Sequence, residues 1–232
     1  MADNRTVSDV VRILQFGDSM FPVGAFSFSN GVEAAVQAGV VHDKDSLHEL
    51  VDTAIQLATA GDGIAVIQAH RGARSGDPGL VGDADRAVYL RKLNEEMRLM
   101  TVRMGRKLAE VGTYLGCCPG LADWLAQVRE GGLPGTYPAG LGVLFADLGL
   151  DEPAAFAAHH YGVAMMMTSS AQRLMRIHHL DAQAIVLAVN SRAEGDYQRA
   201  ARQGLAEMAA FAPVADVLAA SHVRAHIRMF MN

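Results

Sequence analysis

Cysteine is nearly absent: the chain's 232 residues include only Cys117 and Cys118, and these are adjacent. Neighbouring cysteines supply neither a CxxC metal spacing nor a disulfide framework, and they read as a reduced, partly buried pair in a turn. Aromatic residues are scarce at 6%, and charged residues reach only 19%. The net charge of -5 comes without a dense lysine or arginine block, which argues against nucleic acid as a partner, because that binding rests on neutralising phosphates. GxGxxG, a lysine-bearing phosphate loop and GxSxG are all missing, so neither a nucleotide cradle nor a nucleophile elbow is legible. The opening MADNRTVSDVVRILQFGDSM lacks the basic start and apolar core of a signal peptide and is too polar for a membrane span. The expectation is a cytoplasmic protein.

What is present is apolar residue, at 50% of the chain, enough for a substantial core in one large domain. Its spacing is helical. Val7, Val10, Val11 and Leu14 share one face, which must end by Gly17-Asp18 and Pro22. Asn30 with Glu33 has the form of an N-cap and its third-position acid, and Gly39 sits where a terminal glycine cap belongs. Ser46 and Glu49 repeat the capping pattern before a helix reaching about Ala69, in which Gly61 and Gly63 imply a kink or close packing. A long helix is expected over 83–115, a short one around Trp124, and a linker over 131–140. Asp151, Glu152 and Pro153 open a further helix through HHYGVAMMMTSS, with others near 181–193 and 196–211 and a last one after Pro213. No segment alternates convincingly, so the chain is expected to be an all-α, single-domain bundle of roughly eight to ten helices over residues 1–232.

Nine histidines invite a metal reading. His222 and His226 are four apart, as two ligands on one helical face would be, but no HExxH glutamate or evident third ligand accompanies them. The adjacent pairs His159-His160 and His178-His179 diverge around a helix. Met165, Met166 and Met167 suit either a core gap or an adaptable protein-binding surface. No catalytic, metal or cofactor residue is assigned.

The run DSMFPVGAFSFSNGVEAAVQAGVV, containing Pro22, Gly24, Phe26, Phe28 and Glu33, resembles the N-terminal signature of the urease accessory protein F family. Later segments agree in order: Asp62; Glu96, Arg98 and Gly105; the Tyr137–Leu150 segment; and Ala171, Arg173, Leu174, Asp181 and Gln183. The tail resembles the family's terminal motif at His222, Arg228 and Phe230, with Val223 in place of the usual glutamate and Met229 in place of leucine. Arg176 and His178 stand where the family's turn commonly has proline and glycine.

The resemblance implies an all-helical, homodimeric, non-enzymatic chaperone of nickel insertion. It would join urease accessory protein D/H and the urease accessory GTPase to apo-urease, with no cofactor of its own, no nucleic acid and no membrane. Pro22, Gly24, Phe26, Phe28, Glu33, Arg173, Gln183, His222, Arg228 and Phe230 are the candidate partner-binding residues, the last three in a tail over about 221–232. Arg173 is the basic residue that any effect on GTP hydrolysis would use. The alternatives are a histidine-based nickel-binding protein, a helical hydrolase, or a maturation factor for another system.

Overall fold

The computed structural model describes residues 5–209, Val217 and residues 229–231, and every regular element among them is helical. α1 (Val7–Gly17) starts at a capping box in which Thr6 and Asp9 each satisfy the other's backbone N–H. α2 (Val32–Gln37) corrects the expected cap. Asn30 is in the left-handed region, and Gly31, which follows it there, occupies the N-cap position without a side-chain bond. Glu33 therefore spends its carboxylate elsewhere. Gly39 does turn left-handed just past the end of α2. α3 (Lys44–Ala60) begins earlier than expected, with Asp43 as the cap and Ser46 as its third-position partner rather than the cap itself. Both readings of the following glycines hold: Gly61 breaks the helix, and Gly63 lets α4 (Asp62–Ser75) approach Phe156, whose ring would lie 2.7 Å from an added Cβ.

The long helix expected over 83–115 is two: α5 (Pro78–Arg91) and α6 (Glu95–Tyr114). The break has no glycine or proline. It is held because Asn94 caps α6 by accepting the Met97 N–H at 2.8 Å, and Arg98 donates to the Lys92 carbonyl at 2.7 Å. α7 (Pro119–Arg129) follows the cysteine turn. The expected linker is only half a linker, since Tyr137 to Gly140 form the first turn of α8 (Tyr137–Asp147), with Pro138 where its missing N–H costs nothing. α9 (Glu152–Leu174) starts at Asp151 as expected, and α10 (His179–Asn190) follows. α11 (Ala193–Ala200) ends well before residue 211, because the chain leaves it to cross α4. The Gln203 carbonyl accepts from Gln68 and the Ala209 N–H donates to the Ala60 carbonyl at 2.9 Å. The helix expected after Pro213 lies outside the described residues.

α8 is apolar all round, and Pro138 to Ala146 are all buried, as expected of a helix enclosed by others. It meets α4 almost backbone to backbone, an added Cβ at Gly142 falling 2.5 Å from the Val66 carbonyl. A second apolar cluster joins α2, α3, α9 and α10 through Val32, Val51, Ile55, Met167 and Ile185. α9 thus ties the two clusters together. Residues 44–75 have the length and composition of a membrane-crossing helix, but Gly61 divides them, and half of their most apolar stretch is buried within the protein.

The approach to α8 is anchored by Asp85, which is wholly buried and accepts the Gly135 and Thr136 N–H groups at 2.9 and 2.7 Å. Burial pushes its carboxyl above the usual range, against the pull of those bonds. Asparagine offers one acceptor where both oxygens are used, leaving a buried N–H unpaired. Asp85→Asn is expected to cost about 2 kcal/mol, read as a lower urea midpoint at unchanged slope.

Candidate interaction site

The glycine-rich loop between α1 and α2 meets α9 and the end of the chain. Gly24, left-handed, opens a 3-10 turn over Ala25–Ser27 that throws Phe26 outward, 74% exposed, while Phe28 enters the core. The Arg173 guanidinium lies between two rings, 4.0 Å from the centre of Phe26 and 4.3 Å from that of Phe230, and donates to the Phe26 carbonyl. Buried Glu33 accepts the Met229 and Phe230 N–H groups at 2.7 and 2.9 Å, and the Met231 N–H donates to the Ser27 carbonyl. The chain's last described residues are thereby stapled onto the loop. The aromatic anchors divide accordingly: Phe26 is available to a partner, Phe28 is core, and Phe230 is 5% exposed against Arg173.

Beside this staple runs a groove of about 850 Å³, walled by the loop, the α3–α4 and α5–α6 breaks, α6 and α9. α6 contributes Met97, Met100 and Met104, and α9 contributes Met165, Met166 and Met167. With Met20, Met208 and Met231, nine of the chain's twelve methionines gather there. Of the Met165–Met167 run, Met167 is wholly buried in the core, and all three border the groove. Unbranched thioethers repack at low cost, which suits a surface that must fit another protein. Arg91, Arg103 and Arg173 border the same groove, and among the described residues no ion pair ties them to a carboxylate. They are held by carbonyls, by the Met231 sulfur and by the two rings.

At the groove's base Lys92 pairs with Asp62 at 2.7 Å, and the Asp62 carboxylate is 3.9 Å from Nε2 of buried His159. The His159 and Tyr137 rings are 6.4 Å apart. Burial pushes His159 down to about 4 and the Tyr137 phenol up to about 12, so both are neutral near pH 7. Above pH 6.5 His159 is neutral whether the chain is folded or not. As pH falls to 4 the unfolded chain takes a proton that the folded chain refuses, and roughly 3 kcal/mol of stability is lost. His159→Gln is expected to remove that share of the pH dependence, checked by urea titrations between pH 4 and 7.

The UreF family model matches residues 41–190. The chain is also 48% identical over 228 residues to urease accessory protein UreF 2 of Brucella canis, covering 98% of this chain and 94% of that one. The chain belongs to the UreF family of urease accessory proteins. Similar identities link it to UreF 1 of Brucella melitensis, at 47% over 228 residues, 98% of this chain and 95% of that one. UreF of Yersinia pseudotuberculosis is 46% identical over 225 residues, 97% of this chain and 99% of that one. Membership makes this an accessory protein of urease maturation.

Of the positions named for partner binding, Gly24, Phe26, Glu33, Arg173 and Phe230 meet at the staple, and exposed Pro22 lines the groove beside them. Phe28 belongs to the core, and Gln183 is exposed on α10, outside the groove lining. His222 and Arg228, with His226, lie outside the described residues. Sequence reasoning singled out Met165–Met167 but missed the facing Met97, Met100 and Met104, and with them Arg91 and Arg103. The matches of Asp62 and of the segment opening at Tyr137 to the family pattern point to the base of the groove. His70, His159 and His160 are buried with the Leu150 carbonyl, Asp62 and Asp196 as their respective neighbours, and His178 accepts the Leu180 N–H at the head of α10.

Proposed function

We propose that this UreF is a non-catalytic scaffold of nickel insertion, acting in the cytoplasm as a homodimer and as one helical domain. It joins urease accessory protein D/H and the urease accessory GTPase and presents them to apo-urease for GTP-dependent nickel delivery, with a role for Arg173 in modulating the GTPase. The observation that carries this reading is the methionine-walled groove with the staple at its edge: an adaptable apolar floor, exposed Phe26 as an anchor, and arginines free of carboxylate partners among the described residues. Two exposed apolar rows add contact area for a partner or a second copy: Val7, Val10, Val11 and Leu14 on α1, and Leu180 and Leu187 on α10.

The test is co-purification with the other urease accessory proteins, followed by nickel-dependent urease activation with and without this chain. Capture of both partners and activation dependent on the chain are expected. No complex and no effect on activation would sink the scaffold. Stoichiometric nickel retention by the purified chain, lost on joint replacement of His222 and His226 by alanine, would put a metal carrier in its place.

A further inference from the structure

The turn between α6 and α7 stands apart from the groove and carries the only two cysteines of the chain. Cys117 is exposed, Cys118 is buried, and their Sγ atoms lie 3.2 Å apart. The backbone is fixed on both sides of the pair, by Gly116 turning left-handed at the end of α6 and by Pro119 opening α7. Cys118 occupies the N-cap position of α7 but makes no side-chain cap, so its sulfur is given over to its neighbour. An exposed thiol backed by a buried one is the arrangement in which the first meets an oxidant and the second resolves the product.

We propose that Cys117 and Cys118 form a peroxide-sensitive dithiol that closes reversibly to a vicinal disulfide. The Cys117 thiolate attacks a peroxide oxygen; the S–O bond forms as the O–O bond breaks, leaving a sulfenic acid and, after protonation, the alcohol or water of the peroxide. The Cys118 sulfur then displaces hydroxide from Cys117, the S–S bond replacing the S–O bond while the thiol proton leaves with hydroxide as water. Two thiols lose two electrons and one peroxide gains them. Burial, with Cys117 and Asp147 nearby, pushes the Cys118 thiol up, which assigns the first attack to Cys117.

Reversal is built into the spacing. Adjacent Cα atoms lie about 3.8 Å apart, short of the roughly 4.4–6.8 Å that unstrained disulfides span, so the closed ring is readily reopened by a thiol. Closure also reshapes the N-cap of α7, whose first turn is tied to α8 by the Leu121 N–H on Asp147 at 2.8 Å.

The full chain is treated with stoichiometric hydrogen peroxide, then unfolded in urea and alkylated with iodoacetamide so that buried Cys118 is reached, and weighed intact. Both thiols are expected to become protected together, with a mass loss of two hydrogens, and dithiothreitol is expected to restore both. Cys118→Ser should stop at a Cys117 sulfenic acid that dimedone captures, and Cys117→Ser should leave Cys118 unmodified at the same dose. The proposal is overturned if Cys117 of the unaltered chain is oxidised while Cys118 stays open to alkylation, if the disulfide links two chains, or if Cys117 does not react. The decisive measurement uses the unaltered chain and does not depend on a variant folding.

Discussion

Gly105→Ala is expected to lower the unfolding free energy by about 4 kcal/mol, enough to leave little folded protein if stability is marginal. Gly105 lies on the buried side of α6, where an added Cβ would stand 2.3 Å from the Gly135 carbonyl oxygen, 2.6 Å from the Thr136 carbonyl carbon and 2.7 Å from the Tyr137 nitrogen. These are backbone atoms, so no rotamer change relieves the clash. Nor can that backbone retreat cheaply: Asp85 grips the Gly135 and Thr136 N–H groups, and Tyr137 begins the central helix α8. Gly162→Ala is the control. Gly162 lies inside α9 with nothing within 4 Å of its added Cβ, and alanine there should raise stability by about 1 kcal/mol through helix propensity. Urea unfolding of the two variants decides the matter, and equal midpoints would show that α6 and the entry to α8 do not meet so closely.

Gly105 also marks the limit of what the chain's letters disclose. Its place in the family pattern was legible, but the reason for it is a contact with residues some thirty positions away, which spacing alone does not reveal. Helix limits set by local chemistry were readable: Gly39 past α2, Gly116 past α6 and Asp151 before α9. The break at Lys92–Asn94 was not, because the Asn94 cap, the Arg98 bond to the Lys92 carbonyl and the Lys92 pair with distant Asp62 hold it where no glycine or proline signals it. Gly140 and Pro138 misled in the opposite direction. Both residues suit linkers, yet here Pro138 opens α8 and Gly140 lies 3.1 Å, at an added Cβ, from the Trp124 ring. The loop, Glu33, Arg173 and Phe230 emerged through the family resemblance, whereas the groove draws its methionines from segments far apart in the chain. Residue by residue Met165–Met167 read as core filler or adaptable surface alike, and the others carried no signal; only the fold gathers them into a wall.

Glu33→Ala is expected to weaken capture of the partner proteins by roughly thirty-fold, equivalent to about 2 kcal/mol, and to depress nickel-dependent urease activation with it. The Glu33 carboxylate is 2% exposed and accepts both the Met229 and Phe230 N–H groups, bonds of the stronger, charge-assisted kind. Without it, Phe230 loses its hold beside Arg173, and one side of the guanidinium sandwich opens. Glutamine retains one acceptor oxygen, so Glu33→Gln should fall between alanine and the unaltered chain. Arg173→Lys should behave like Arg173→Ala, because an ammonium keeps the charge but lacks the guanidinium's planar fork, which meets both rings while reaching the Phe26 carbonyl. The staple holds only the last described residues, whose N–H groups can turn to water once released, unlike those gripped in mid-chain by Asp85, so thermal midpoints should move little across the series. Graded loss of partner capture at nearly constant stability is therefore the expected signature of a contact surface. Unchanged capture by Glu33→Ala and Arg173→Lys would take the staple out of that surface, and a parallel fall in stability and capture would make it a fold element instead.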